Sequence, residues 1–296
     1  MTINRKDELK SVFEDTINQI QNNTVLYDAT KKSIEGTLHY AADNYPMIEQ
    51  REPSKSEIIV TKHTTFNAAR ELHKTYPDKK IAVLNFASAT NPGGGVTRGS
   101  SAQEESLCRC STLYPTLTQS AMWNQFYFVN RAEKNVLHTD ACIYSPNIIV
   151  FKDDSYIPRM MPPKEWFSVD VISCAAPNLR NVVSNAYNPE SGKAVHISPS
   201  ELNLLHRQRA KHILTVAAAN EVNILVLGAF GCGAFANDPR VVADATFEAL
   251  DEFIKYFDVV EFAIYCRKFE TENYDAFLQT YERKIFLKKS RMRRIH

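Results

Sequence analysis

The stretch from residue 81 to residue 117 constrains the fold more than any other part of the sequence. It begins with a short hydrophobic run at 81–86, of the kind that forms a buried strand. Three consecutive glycines follow at 93–95, and after a spacer of seven residues comes a Gln-Glu-Glu triplet at 103–105. Glycine allows positive φ and lets backbone N–H groups approach a ligand with no Cβ in the way. A strand, a glycine loop and a helix start therefore predict a cradle for a phosphate or diphosphate, with a tight turn between two core elements as the alternative.

Strand-like and helix-like segments alternate along the rest of the chain. Strands are predicted at 57–61, 81–86, 167–176, 223–227 and 259–265, with two short apolar runs inside 138–151 that Ser145-Pro146 divides. Helices are predicted at 65–73, from 104 to near 115, and at 202–220, 237–256 and 273–280, and 118–133 is a further helical or mixed segment. Residues 180–200 are polar and predict a long exposed loop that borders a site. This alternation predicts a three-layer α/β domain with a mixed central sheet.

The first 50 residues differ from the rest and read as mostly helical. Apolar residues recur there at steps of three and four, as an amphipathic helix requires: Leu9, Val12, Phe13, Ile17 and Ile20. Residues 30–40 predict a weaker helical or loop segment. We therefore expect residues 1–50 to form a helical extension that packs on a catalytic domain of residues 51–296.

A second glycine loop, GAFGCGAF at 228–235, comes directly after the apolar strand predicted at 223–227. Ligands of open α/β sheets bind outside the carboxyl ends of the strands. Because both glycine loops follow strands, we expect them to face the same crevice.

Composition and charge narrow the class of protein. The 296 residues carry a formal net charge of +1, which gives no global electrostatic reason to expect nucleic-acid binding. Six cysteines show no zinc-site spacing, so neither a metal nor a cofactor is expected, and a reduced protein is the natural inference. The N-terminus has no apolar signal-peptide core, and no run reaches membrane-spanning length. We therefore expect a cytoplasmic protein with no membrane partner.

The glycine triplet, the spacer of seven and the Gln-Glu-Glu triplet together resemble the signature of poly(ADP-ribose) glycohydrolases, which are macrodomain enzymes. The surrounding NFASATNPGGG…AQEESLCRCSTLYPTL is similar to the microbial branch, as are YSPNIIVFKDD, VISCAAPN and LVLGAFGCGAFANDP. The resemblance covers roughly residues 55–270. It implies a macrodomain-like α/β/α fold and an enzyme that hydrolyses the ribose–ribose O-glycosidic bond of poly(ADP-ribose), releasing ADP-ribose.

Breaking that bond needs a proton for the departing oxygen and support for an oxocarbenium-like centre. Ordinary glycosidases place two carboxylates on opposite faces of the sugar. Adjacent helical side chains diverge by about 100°, so Glu104 and Glu105 are not expected to form such a pair. One should transfer protons while the other positions the substrate, and the diphosphate of the substrate would replace the second carboxylate. A helix start that favours carboxylates through its dipole is the structural alternative.

The resemblance assigns roles residue by residue. Glu105 would be the general acid that later activates water, and it should be partly desolvated and close to negative charge to keep its proton. Glu104 would bind a hydroxyl of the leaving ribose, and Gln103 would hold the loop or the ligand. The second loop would wrap the diphosphate, with Phe235 near the distal ribose and Ala234 where the family often has a bulkier aliphatic residue. The predicted substrate contacts are Asn91, Gly93, Gly94, Gly95, Gln103, Gly231, Cys232, Gly233, Ala234 and Phe235.

Other reactive residues have simpler interpretations. No histidine lies in the motif of Cys232, so this residue is interpreted as a small residue tolerated in a phosphate loop and not as a nucleophile. His206 and His212 in the long helix are interpreted as surface or packing residues. Asp153 and Asp154 are interpreted as turn formers.

Two other functions stay open at this point. Some macrodomains only bind ADP-ribose, although mere binding does not need two adjacent acids that face an anionic ligand. A hydrolase that acts on mono-ADP-ribosyl linkages to protein or nucleic acid is also consistent with the sequence. The expected partners are ADP-ribose and poly(ADP-ribose) on modified proteins, with nucleic acid only as an ADP-ribosylated acceptor, and the expected state is a monomer.

Overall fold

A seven-stranded mixed sheet is the centre of the computed structural model, which describes residues 4–42, 44–50, 55–184 and 192–292. The strands are β1 Leu38–Tyr40, β2 Glu57–Thr61, β3 Ile81–Ala87, β4 Cys142–Val150, β5 Phe167–Ala175, β6 Ile224–Leu227 and β7 Val259–Ala263. Their order across the sheet is β1-β4-β5-β3-β6-β7-β2. β2, β7, β6, β3 and β5 pair in parallel, whereas β4 pairs antiparallel with both β5 and β1.

Helices cover both faces of this sheet. They are α1 Arg5–Asn22, α2 Thr24–Gly36, α3 Thr65–Thr75, α4 Gln103–Cys110, α5 Leu113–Leu117, α6 Ser120–Met122, α7 Phe128–Glu133, α8 Pro199–Ala219, α9 Pro239–Phe253 and α10 Glu272–Met292. A π-helical segment, Trp123–Tyr127, joins α6 to α7. In the part of the chain that the structure describes, none of the helices is long and apolar enough to cross a membrane.

The alternation of side chains along β3 divides the core into two layers. Ile81 and Val83 belong to the core on the side of α3, α4 and α5, whereas Ala82 and Leu84 belong to the core on the side of α8 and α9. Helices therefore cover the sheet from both sides, which confirms the predicted three-layer α/β architecture.

The pairing of β3 with β6 positions the two glycine loops. The strands are parallel neighbours, with Ile81 opposite Ile224 and Val83 opposite Val226. Because both strands leave the sheet at the same end, the loops that follow them lie side by side. The expected common crevice follows directly from this pairing.

The structure differs from the predicted elements where contacts with distant parts of the chain determine the secondary structure. The two runs expected within 138–151 form one strand, β4, and the register shift between Ser145 and Ile148 accommodates Pro146, which cannot donate to a ladder. Residues 30–40 divide between the end of α2 and β1, which is stabilised by pairing with β4. The last helix is longer than expected. Of the loop predicted at 180–200, residues 185–191 lie outside the described residues.

The N-terminal helices pack closely on the main core. Phe13 is buried, and its ring meets the Tyr114 ring edge-on at 4.9 Å between centroids. The buried Lys152 donates to the Val12 carbonyl at 2.8 Å and forms an ion pair with Asp15 at 2.6 Å. The division of the chain at residue 50 stays a prediction.

We expect Phe13→Ala to lower the free energy of unfolding by about 3–5 kcal/mol, the range for truncating a buried aromatic side chain. Urea denaturation measures this change. Tyr27→Ala is a matched control, because Tyr27 lies on α2 with its ring largely exposed, and it should change stability little. A small effect of Phe13→Ala would mean that α1 contributes little to the stability of the core.

Candidate active site

A cavity of about 1260 Å³ opens at the carboxyl ends of the parallel strands. Residues of both glycine loops and the start of α4 line it. The predicted site residues that line the cavity are Asn91, Gly94, Gly95, Gln103, Glu104, Glu105, Gly231, Gly233, Ala234 and Phe235. Gly93 and Cys232 lie in the same loops but do not line it.

Gln103 holds α4 on the central strand. Its Oε1 accepts the N–H of Phe86 at 2.9 Å, and its Nε2 donates to the carbonyl of Leu84 at 2.7 Å. β6 pairs with β3 only as far as Val83. The Gln103 amide thus satisfies main-chain groups of β3 beyond the end of that pairing, which fixes where α4 begins.

Glu104 is a buried carboxyl group, with only 3% of the residue exposed. Its Oε2 accepts the Ser88 N–H at 2.8 Å, and Asn85 Nδ2 lies 3.4 Å from its Oε1. Burial raises the pKa of Glu104 well above its usual range, and the charge of Glu105 raises it further, while hydrogen bonds from Ser88, Asn85 and the Gly93 N–H oppose the shift. Glu104 is therefore a carboxyl group that tends to retain its proton.

Glu105 is also largely buried, with 7% of the residue exposed, but it lines the cavity with one oxygen uncommitted. Oε1 accepts the Gly95 N–H at 2.8 Å. Oε2 is buried and has no hydrogen-bond partner among the residues that the structure describes. This oxygen has the chemistry that transfer of a proton to or from a ligand requires.

Gly94 lies directly against both carboxyl groups. Its φ is +58°, and a Cβ built there would lie 2.6 Å from Glu105 Oε1 and 3.1 Å from Glu104 Oε2. Both carboxyl groups therefore approach the loop from the same side, although their Cα atoms are neighbours on a helix. Any side chain at position 94 would displace them.

The second glycine loop is held by contacts within the protein. Gly231 has a φ of +80°, and a Cβ there would lie 2.7 Å from Ala176 Cβ and 2.8 Å from Asn237 Nδ2. Around the Cβ position of Gly233, by contrast, no described atom lies within 4 Å. Burial raises the pKa of the Cys232 thiol, which disfavours the thiolate and agrees with its interpretation as a small loop residue.

Phe235 forms one wall of the cavity together with two residues that the sequence did not single out. The centroid of the His138 ring lies 6.0 Å from that of the Phe235 ring, and the guanidinium carbon of Arg180 lies 5.5 Å from the Phe235 ring centroid. His138 Nδ1 lies 2.8 Å from the Ala176 carbonyl, so this nitrogen carries the proton, and burial lowers the pKa of His138 to about 4. The ring is therefore neutral at physiological pH.

The first loop is braced at its other end. Arg131 donates from Nε to the Thr90 carbonyl at 2.7 Å and from Nη2 to Asn91 Oδ1 at 2.6 Å, and its guanidinium lies 4.9 Å from the Trp123 ring centroid. These contacts fix the position of the Asn91 side chain at the cavity wall.

Several cavity residues were missed because no local motif marks them. The clearest available signal was position, since Asn178 follows the end of β5 as the glycine loops follow β3 and β6. The remaining residues reach the cavity from distant segments. Besides Asn178, the missed residues include Arg5, Lys62, Asn130, Arg131, Lys134, His138, Asp154, Tyr156 and Arg180.

These features define an α/β protein with a carboxyl-based site at the carboxyl ends of its parallel strands. The family model described as the catalytic domain of microbial-type PARG matches residues 5–153. The structure of poly(ADP-ribose) glycohydrolase (PARG) from Thermomonospora curvata matches with 30% identity and a TM-score of 0.80, over 93% of this chain and 99% of that chain. No curated protein sequence matches this chain.

Ligand complexes are among the similar structures. The Thermomonospora curvata enzyme bound to the inhibitor ADP-HPD matches with 30% identity and a TM-score of 0.77, over 92% of this chain and 99% of that one. The enzyme from Deinococcus radiodurans in complex with ADP-ribose matches with 34% identity and a TM-score of 0.72, over 86% and 97%. The chain belongs to the microbial-type poly(ADP-ribose) glycohydrolase family, and its fold is macrodomain-like.

The raised pKa of Glu104 predicts a specific pH dependence of stability. As pH rises above the ordinary value of 4.5, the unfolded chain loses this proton while the folded protein keeps it. The free energy of unfolding of wild type should therefore fall with pH relative to that of Glu104→Gln, by about 1.4 kcal/mol for each unit by which the pKa is raised. Urea denaturation of both proteins between about pH 4 and pH 8 measures the difference. A difference that does not change with pH would contradict a retained proton on Glu104.

Proposed function

We propose that the chain hydrolyses the ribose–ribose glycosidic bond of poly(ADP-ribose) and releases ADP-ribose, with Glu105 as its catalytic residue. The observation that carries this proposal is the Oε2 atom of Glu105, which is buried beside the first glycine loop without a partner among the described residues. The same cavity is lined by the second glycine loop. Membership of the family and the complexes of its relatives with ADP-ribose and ADP-HPD support it.

The reaction would proceed in two proton transfers on one carboxyl group. Glu105 Oε2 donates its proton to the departing ribose oxygen as the bond from C1 to that oxygen breaks. The bonding electrons leave with the oxygen, and the oxocarbenium-like centre at C1 is stabilised by the neighbouring diphosphate. Water then attacks C1 and gives its proton to Glu105, which restores the acid.

Glu104 would keep the pair of carboxyl groups in the required protonation state. Burial and the neighbouring charge of Glu105 raise the pKa of Glu104 well above its usual range, so Glu104 tends to hold a proton beside Glu105. We propose that this proton is available to Glu105 and that Glu104 accepts a hydrogen bond from a hydroxyl of the leaving ribose.

The two glycine loops would hold the diphosphate between them. Backbone N–H groups that approach without a Cβ suit phosphate oxygens. We propose that Asn91, Gly94, Gly95, Gly233 and Ala234 contact the ligand directly. Gly93 and Cys232 would act by shaping the loops, because the Gly93 N–H bonds to Glu104 and the Cys232 N–H donates to the Ala229 carbonyl at 3.1 Å.

The charge of the cavity favours a polymeric substrate over a single modification. Among the described residues, six cationic side chains line the cavity, against the three carboxyl groups of Glu104, Glu105 and Asp154. One ADP-ribose unit carries one diphosphate, so these cations suit a ligand with further phosphates on either side of the bound unit. The cations are Arg5, Lys62, Arg98, Arg131, Lys134 and Arg180.

The wider setting is part of the same proposal. We propose a cytoplasmic monomer that removes poly(ADP-ribose) from modified proteins and meets nucleic acid only as an ADP-ribosylated acceptor. All six cysteines are unpaired, as is typical of proteins in reducing compartments.

Incubation with labelled polymer and, separately, with a mono-ADP-ribosylated protein tests the substrate. Release of ADP-ribose from the polymer is the expected result. Release from the mono-modified protein alone would identify a mono-ADP-ribosyl hydrolase. Binding of ADP-ribose without release from either substrate would identify a binding module.

We expect Glu105→Gln to lower kcat by roughly 10²–10⁴-fold, the usual contribution of a general acid, because the amide keeps the volume and loses the proton. ADP-ribose should still bind, as titration calorimetry on the same variant would show. Near-wild-type hydrolysis by Glu105→Gln would remove Glu105 from the role of acid.

Gly233→Val tests the second loop without disturbing the protein around it. Because no described atom lies near its Cβ position, the valine side chain would occupy ligand space and not displace a neighbour. The loss of a charged hydrogen bond corresponds to roughly ten- to hundredfold weaker ADP-ribose binding. Gly233→Ala is the graded control and should weaken binding less, with both melting temperatures unchanged. Wild-type affinity in Gly233→Val would place this loop outside the ligand site.

A further inference from the structure

Helix α8 lies behind the cavity and presents three buried polar side chains at intervals of three residues. His206, Arg209 and His212 have exposed fractions of 2%, 1% and 0%. Residues three apart lie on one face of a helix. None of the three lines the cavity. Each forms a hydrogen bond to another segment, His206 with Asn237 after the second glycine loop and Arg209 and His212 with the residues just before β4.

His206 is bonded to the second glycine loop through Asn237. The Nδ2 of Asn237 lies 2.8 Å from the Pro177 carbonyl, 3.0 Å from that of Gly231 and 3.2 Å from that of Phe235. These three acceptors fix the orientation of the amide, so its Oδ1 faces His206 and accepts the Nε2–H at 2.8 Å. One amide therefore joins the segment after β5 to both ends of the loop that carries Phe235.

Arg209 holds the segment that carries His138. Its Nη2 donates to the Leu137 carbonyl at 2.9 Å and to the His138 carbonyl at 3.1 Å. His138 has a φ of +57°, a conformation that a residue with a side chain rarely adopts unless its surroundings impose it. The His138 ring in turn packs against Phe235, as described above.

The protonation states of His206 and Arg209 determine which groups donate in these hydrogen bonds. Burial lowers the pKa of His206 to about 4, so the ring is neutral and has a single N–H, which Asn237 receives. Burial also lowers the pKa of Arg209. Its guanidinium is desolvated, and hydrogen bonds from a charged donor to carbonyls are stronger than neutral ones.

We propose that His206 and Arg209 are positioning residues of the active site. They hold the second glycine loop and the 137–138 turn against one another, so that Phe235 and His138 form a fixed wall before the substrate arrives. The inference rests on the proposed function, because it concerns the same cavity. Its physical basis is preorganisation, since a loop that is already ordered loses less conformational entropy when it binds a ligand.

The test replaces His206 in two ways and uses His212 as the matched control. His206→Phe keeps an aromatic ring and removes the donor to Asn237. His206→Gln places an amide N–H near the position of Nε2 and should restore the bond. His212 lies on the same face of α8, and its Nδ1 is 2.7 Å from the carbonyl of Asp140, which does not line the cavity. His212→Phe therefore removes an equally buried imidazole without loosening the wall.

We expect His206→Phe to bind ADP-ribose roughly tenfold more weakly, as the loss of one buried hydrogen bond implies. Its KM for polymer should rise in proportion, while kcat changes less than about threefold, because Glu105 lies on α4 beside the first glycine loop and not on the wall that His206 holds. His206→Gln should recover most of the affinity. His212→Phe should lower the melting temperature and leave the affinity at the wild-type value.

The outcomes separate this inference from the proposed function. If wild type neither binds ADP-ribose nor hydrolyses polymer, the proposed function fails. If wild type binds and folded His206→Phe binds equally well, or His212→Phe loses as much affinity as His206→Phe, the positioning role is overturned.

Amide hydrogen exchange on wild type decides the matter if His206→Phe does not fold. The amides of Cys232, Ala236 and Asn237 donate within the loop and should be protected without ADP-ribose. Protection that appears only when ADP-ribose is added would show that α8 does not order the wall in advance, and would overturn the inference.

Discussion

The close approach of Gly94 to the carboxyl groups of Glu104 and Glu105 is the constraint on which the site depends. The loop can lie over the carboxyls only because position 94 has no side chain, and the carboxyls remain buried only because the loop covers them. Burial of two acids in one place is costly unless hydrogen bonds and a retained proton offset it. The N–H groups of Ser88 and Gly95 donate these hydrogen bonds, and the raised pKa of Glu104 favours a retained proton on that carboxyl group. The packing of the loop against α4 thus buries two neighbouring carboxyl groups and favours a retained proton on Glu104.

The sheet and α8 bring the second half of the site to this pair. Because β3 and β6 are parallel neighbours, their loops meet at one edge, and the Gln103 amide fixes the start of α4 where the two strands cease to pair. On the other side of the cavity, Asn237 donates hydrogen bonds to carbonyl groups of two segments and accepts one from His206. Hydrogen bonds made by buried side chains thus determine the shape of a cavity whose walls are mostly loops.

Local patterns in the sequence predicted the parts of the structure that local physics determines. The strands, the glycine loops and the helix that begins at Gln103 all follow from hydrophobic runs, backbone freedom and start signals, and the three-layer arrangement follows from their alternation. The contacts of Asn237, His138 and Arg180 were not predictable, because they join segments far apart in the chain. A retained proton was expected on Glu105, and the raised pKa of Glu104 was not predictable, because the burial of an individual carboxyl is a property of the tertiary structure. β1 was missed because its pairing with β4, and not its own sequence, makes it a strand.

A crystal structure of Glu105→Gln with ADP-ribose bound tests the central claim most directly. We expect the diphosphate within hydrogen-bond distance of N–H groups from both glycine loops, and C1 of the distal ribose beside the side chain of residue 105. A diphosphate that contacts only one loop, or a C1 that lies away from residue 105, would contradict it.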